Sequence, residues 1–188
     1  ESLAGRKAMF EVYPVSFREF VNFKTEYKYS DRLADYFGVE NKKTIEFLKE
    51  YLNFGGYPRV VTENSLKEKR RIIAEIYRSY VEKDIVFLLR VEKLEAFGSL
   101  VKILAGQTGK MINYSELSNT LGVSTATVKN YLWYLEKTFI TEAVSPYFKN
   151  IRKEIIKAPV IYFHDIGLRN YSIGLFGMAG ETDGSGFV

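Results

Sequence analysis

The sequence predicts a mainly α protein: a helical bundle followed by a winged helix-turn-helix with a small β-wing. Residues 113–137, NYSELSNTLGVSTATVKNYLWYLEK, read as a pair of short helices joined at a glycine. Ser16, Ser65 and Asn113 each stand three residues before a glutamate, the pattern of a capping box at a helix start. Apolar residues recur at three-and-four spacing through most of the N-terminal half, as on the buried side of a helix.

Taken in order, ESLAGR reads as the end of a helix belonging to a preceding element, running on into a strand from Ala8 to Val15. Ser16 and Glu19 open a helix from Phe17 to about Lys28, with Phe17, Phe20, Val21 and Phe23 on its apolar side. A second helix is predicted over Asp31 to Phe37, ending at Gly38. A third, from about Lys43 to Phe54, carries Ile45, Phe47, Leu48, Tyr51 and Leu52 and stops at Gly55-Gly56. Tyr57-Pro58 then calls for an extended or turning backbone. Ser65 and Glu68 open a long helix to about Leu89, whose buried stripe is Ile72, Ile73, Ile76, Tyr77, Tyr80 and Val81. The charges from Lys67 through Arg71 read as its solvated face. A further helix, about Lys93 to Ala105, leads into the winged region and ends before Gly106.

Within the winged region Asn113 and Glu116 cap the first helix, and Leu117 and Leu121 share a face. Gly122 suits the left-handed residue that closes it, and Ser118 is small enough to let the next helix cross closely. Ser124 caps the second helix, where Val128, Tyr131, Leu132 and Leu135 form the buried stripe. Strands over Phe139–Tyr147 and Ile155–Phe163, the latter broken at Pro159, flank a basic tip from Lys149 to Lys153. His164 to Tyr171 turns into a short helix, and the glycine-rich stretch from Gly177 to Gly186 has little to pack. These signals divide the chain into 1–16, 17–92, 93–163 and 164–188, the first and last being parts of further elements.

Composition narrows the chemistry. The 188 residues are 46% hydrophobic and 27% charged, ordinary for a globular protein with a sizeable core. No apolar run approaches the length that crosses a bilayer. The absence of cysteine excludes disulfides and thiolate metal sites and fits a cytoplasmic setting. His164 is the single histidine, so a histidine-based metal site or triad is not expected, and none is assigned. His164-Asp165 has the composition of a general-base pair, but a lone histidine at a strand end reads as structural. A net charge of +4 permits contact with nucleic acid without demanding it.

Several segments, in this order, carry a family resemblance: SLAGR, FEVYPVSFREF, GGYPRVV, YVEKDI, the winged region and KAPVIYFHDIGLRNYSIG. Together they resemble a large group of prokaryotic AAA+ type ATPases, over Glu1 to about Gly177. Those proteins join a P-loop ATPase core to a helical lid, a winged helix and a restriction-endonuclease-like C-terminal domain. The resemblance implies that residues 1–16 end the ATPase core, 17–92 form the lid, and 164–188 begin the C-terminal domain. It implies ATP and Mg in the parent protein, with its core and C-terminal domain as partners. The chain has no G-x-x-x-x-G-K-[ST] phosphate loop, so no catalysis and no bound nucleotide are expected of it alone.

By the same resemblance Gly56 and Pro58 would sense nucleotide, the rigid proline ring packing near the adenine; the alternative is a plain helix-ending turn. Arg6 would be a sensor or finger arginine stabilising phosphate charge, or else a surface arginine at a helix C-terminus. On the second helix of the motif, Ala126, Lys129, Asn130, Trp133 and Lys137 point away from the buried stripe. Lys129, Asn130 and Lys137, with Arg152 and Lys153 on the wing, would meet duplex DNA, chiefly its phosphates. Trp133 instead suggests an interface, docked on the Phe17–Phe23 or Tyr77–Tyr80 helices or on another protein. A stand-alone winged-helix DNA-binding protein or interaction module is the competing reading.

Overall fold

A computed structural model describes residues 11–84, 93–147 and 158–176. It is mainly helical, with a single two-stranded sheet among the described residues. The N-terminal part holds α1 (Phe17–Lys24), α2 (Leu33–Val39), α3 (Asn41–Phe54), α4 (Pro58–Val61) and α5 (Leu66–Ile76). The last of these runs on as π-helical turns over Tyr77–Asp84. Then come α6 (Leu94–Gly106), α7 (Tyr114–Leu121), α8 (Thr125–Lys137), β1 (Thr141–Val144), β2 (Val160–Phe163) and α9 (Ile166–Ser172).

The caps behave as local chemistry dictates, with two refinements. At Ser16 the box is complete, since the hydroxyl takes the Glu19 N–H and the Glu19 carboxylate takes the Ser16 N–H. Ser65 makes half a box: its hydroxyl accepts from Glu68 N–H, but Glu68 turns to Arg71 at 2.7 Å. The Ser65 N–H goes to Glu63 instead, also at 2.7 Å. Asn113 likewise caps alone, accepting from Ser115 and Glu116. Gly122 closes α7 in the left-handed region at φ 62°, as its lack of a Cβ allows.

Other boundaries differ from the sequence expectation. Residues 11–16 form an extended strap rather than a strand, anchored where Val15 N–H donates to Gly56 O at 2.7 Å. Helix α1 stops at Lys24, four residues early, because Glu26 and Tyr27 adopt φ of 53° and 60° that a helix cannot contain. Tyr57 is extended, as the following proline requires, and Pro58 then opens a short helix, where its missing N–H is not needed. Helix α6 includes Gly106. The predicted helix beyond Asp84, the basic tip and the start of the second predicted strand lie outside the described residues.

Strands β1 and β2 pair antiparallel, Thr141 opposite Phe163 and Val144 opposite Val160, and Met111 adds an isolated bridge to Val160. One large apolar core joins Phe54, Val60, Ile72, Phe97, Leu100, Val128, Leu135, Ile161 and Leu168. It therefore crosses the sequence boundaries at residues 92 and 163, and α9 packs on α3 and α6. A smaller cluster of Phe20, Val21, Leu33, Tyr36 and Val61 holds α1 to α3. The stripe Val128, Tyr131, Leu132 and Leu135 is buried as its spacing predicts.

Lys69 corrects the reading of a solvated face. Its side chain is 1% exposed, its ammonium donates to Val60 O, and it pairs with Glu50 at 3.2 Å. Glu50 also takes Lys24 at 3.0 Å, so one carboxylate ties α1 and α5 to α3. Burial pushes the Lys69 pKa down, against the pull of Glu50. Arg71 does face solvent, between Glu68 and Glu75.

Candidate functional site

Helix α3 ends because Gly55 turns the chain at φ 74°, a conformation that favours glycine. The next residue is closed in on both sides. Its carbonyl accepts from Val15, its N–H donates to the Asp165 carboxylate at 2.7 Å, and a Cβ on Gly56 would overlap the Val15 carbonyl. Asp165 lies just before α9, which it caps by accepting the Leu168 N–H at 2.8 Å. A Cβ on Gly55 would meet that same carboxylate, and one on Gly167 would meet Phe54 O. Asn170, one turn into α9, donates to Leu52 O at 2.8 Å and so satisfies the C-terminal end of α3. Arg169 donates to Ala105 O at 2.7 Å and does the same for α6.

Burial drives the Asp165 pKa up to about 6, although the N–H groups of Gly56, Leu168, Gly167 and Tyr57 all favour the ionised form. No lysine, arginine or histidine forms an ion pair with it among the described residues. His164 is no partner either. Its ring forms a triangle with those of Tyr13 and Phe139, at 5.2 and 6.3 Å, and its backbone N–H donates to Ile140 O. His164 and Asp165 thus have separate partners, and no hydrogen bond joins their side chains among the described residues.

On the outer side of the turn is a cleft of about 410 Å³. It is lined by the strap residues Val12, Tyr13 and Pro14, by Tyr57 and Pro58, and by Ile76 and Phe139. Ser79 and Thr138 supply hydroxyl groups to a lining that is otherwise chiefly apolar. Size and lining suit a flat, mostly apolar ring. No lysine or arginine lines the cleft among the described residues.

Gly56 and Pro58, paired in the sequence, thus play different parts: Gly56 is buried in the backbone junction, and Pro58 is exposed on the cleft rim. Lys129, Asn130, Trp133 and Lys137 come together as a second surface, all exposed on one face of α8. The Lys129 ammonium sits 5.2 Å from the Tyr114 ring. Trp133 is 52% exposed and meets Tyr134 edge-on at 5.5 Å, so this chain does not bury it on α1 or on the Tyr77 helix. Arg6, Arg152 and Lys153 lie outside the described residues. Asp165, Asn170 and Lys69 carry the buried polar junctions, and the sequence reading missed all three. An acid directly before a short helix, with glycine two residues on, was the available signal for Asp165.

Comparison with known proteins gives a family and no activity. The model of a domain of unknown function, DUF8612, matches residues 45–179. An uncharacterised protein of Haemophilus influenzae is 34% identical over 92% of this chain and 41% of its own length. One from Methanocaldococcus jannaschii is 24% identical over 92% of this chain and 38% of its own. One from Mycobacterium tuberculosis is 26% identical over 64% of this chain and 27% of its own. This chain therefore spans about two fifths of the length of the first two relatives. No solved structure matches it. The match over residues 45–179 is most of the chain, which belongs to the DUF8612 family.

Proposed function

We propose that this chain is the lid and winged-helix portion of a larger prokaryotic AAA+ type ATPase, and that the Gly55–Pro58 turn senses the base of ATP. The observation that carries the reading is the position of Pro58 on the rim of the apolar cleft, beside Tyr57 and the strap 12–14. A rigid pyrrolidine and aromatic walls offer apolar surface to a planar base at little entropic cost. Bound ATP and Mg would supply the phosphoryl chemistry, held by a phosphate loop that this sequence lacks. The order α6, the Met111 bridge, α7, α8 and the β1–β2 hairpin supports reading residues 93–163 as a winged helix.

The test is nucleotide titration of the complete protein, flanking sequence included, with a fluorescent ATP analogue. Pro58→Ala is expected to weaken binding about tenfold, or about 1.4 kcal/mol; unchanged affinity removes the base-sensing reading. The isolated chain should bind ATP more weakly than micromolar, about −8 kcal/mol, in calorimetry. Micromolar binding there would show that no phosphate loop is needed.

The exposed face of α8 favours a second role for the winged unit, contact with duplex DNA through Lys129, Asn130 and Lys137. With Arg152 and Lys153, which the sequence places between β1 and β2, as further cations, such binding would be weak and largely indifferent to sequence. Its affinity should fall with salt at a log–log slope of about −3. Anisotropy that shows no binding at low salt, or binding independent of salt, assigns this face to a protein partner.

A further inference from the structure

Helix α9 meets the α3–α4 turn through groups that are far apart in sequence and complementary in detail. Asp165 takes the N–H of Gly56 and of Leu168. Gly167 lets the Phe54 carbonyl approach where any side chain would obstruct it, and Asn170 returns a hydrogen bond to Leu52 O. Asp-x-Gly-x-x-Asn at 165–170 thus fits Phe54-Gly55-Gly56 like a clasp. The carboxylate, 2% exposed, holds two backbone donors that would otherwise be buried and unpaired. Two residues beyond Gly56 the chain reaches Pro58 and the cleft.

We infer that Asp165 is the positioning residue of this turn: its carboxylate, fixed at the head of α9, sets the Gly55–Pro58 backbone and ties α9 to the rim of the cleft. A shift of the turn on ligand binding would then be felt by α9, and a displacement of α9 would alter the rim. The consequence for nucleotide rests on the function proposed above; the clasp itself does not.

Amide hydrogen exchange of the full chain, without nucleotide, tests it in wild type, Asp165→Asn and Asp165→Ala. Asparagine keeps one acceptor oxygen and loses the other. Both variants should exchange about tenfold faster over residues 55–57 and 166–168, while α6 keeps its protection. Unchanged exchange at the turn in both variants overturns the inference. Equal acceleration in α6 overturns it too, because Asp165 then supports only the whole fold. If the alanine variant does not fold, the asparagine variant decides by the same criteria. In the complete protein, faster exchange at the turn with unchanged ATP affinity would support the clasp and remove the base-sensing reading.

Discussion

The Asp165 carboxylate accepts the Gly56 N–H at 2.7 Å across 109 positions of sequence. That bond closes the junction where the strap, the end of α3 and the head of α9 meet. Backbone groups from all three come together there, leaving no room for added atoms.

Gly56→Ala should therefore be among the costliest single-methyl additions in the chain. The new Cβ would push on the Val15 carbonyl, which is backbone and cannot swing aside. A loss of about 3 kcal/mol is expected from such overpacking. Gly106→Ala is the control, since a Cβ at Gly106 meets nothing within 4 Å and the residue ends a helix. Thermal melts followed by circular dichroism should separate the two variants; equal melting temperatures would contradict the close approach.

Stability should depend on pH through Asp165, in a direction opposite to that of a salt-bridged carboxylate. Its pKa is raised by burial to about 6 in the folded chain, above the ordinary value of 3.8 it regains on unfolding. The folded state thus binds the proton more readily, and stability is lost as pH rises from about 4 through 6. The loss is on the order of 3 kcal/mol at most. Urea unfolding at several pH values, wild type against Asp165→Asn, isolates the contribution. Parallel profiles would mean that Asp165 does not titrate in this range.

Lys69 should matter more than Lys67, the other lysine of α5. Lys69→Met leaves Glu50 with Lys24 alone and the Val60 carbonyl with only the Glu63 N–H, at 3.3 Å. A cost of about 3 kcal/mol follows from breaking a buried pair on one side only. Adding Glu50→Gln should recover part of it, a coupling of about 1 kcal/mol or more in a double-mutant cycle. Strict additivity would show that the pair contributes nothing as a pair.

Trp133 should report an accessible surface. In the isolated chain its emission is expected to be red-shifted and readily quenched by iodide, since the side chain is 52% exposed. Trp133→Ala should change stability by less than about 0.5 kcal/mol. Protection of the indole by duplex DNA would assign the α8 face to nucleic acid. A blue-shifted, unquenched tryptophan would contradict the exposed placement.

What the sequence determined by itself is local. Ser16, Ser65, Asn113 and Ser124 marked helix starts because a side-chain oxygen and a nearby N–H need no distant partner. The stripe from Val128 to Leu135 marked a buried face because periodicity is a property of neighbouring residues. Lys69 and Asp165 were different. Their burial depends on Glu50, Val60 and Gly56 arriving from elsewhere in the chain, and charge alone argued for solvent. The same holds for Gly55-Gly56, which a local reading could take as a simple helix stop. Only the tertiary structure put Asp165 against the turn and Pro58 on a cleft, because backbone donors and carbonyls look alike in any sequence until the fold pairs them.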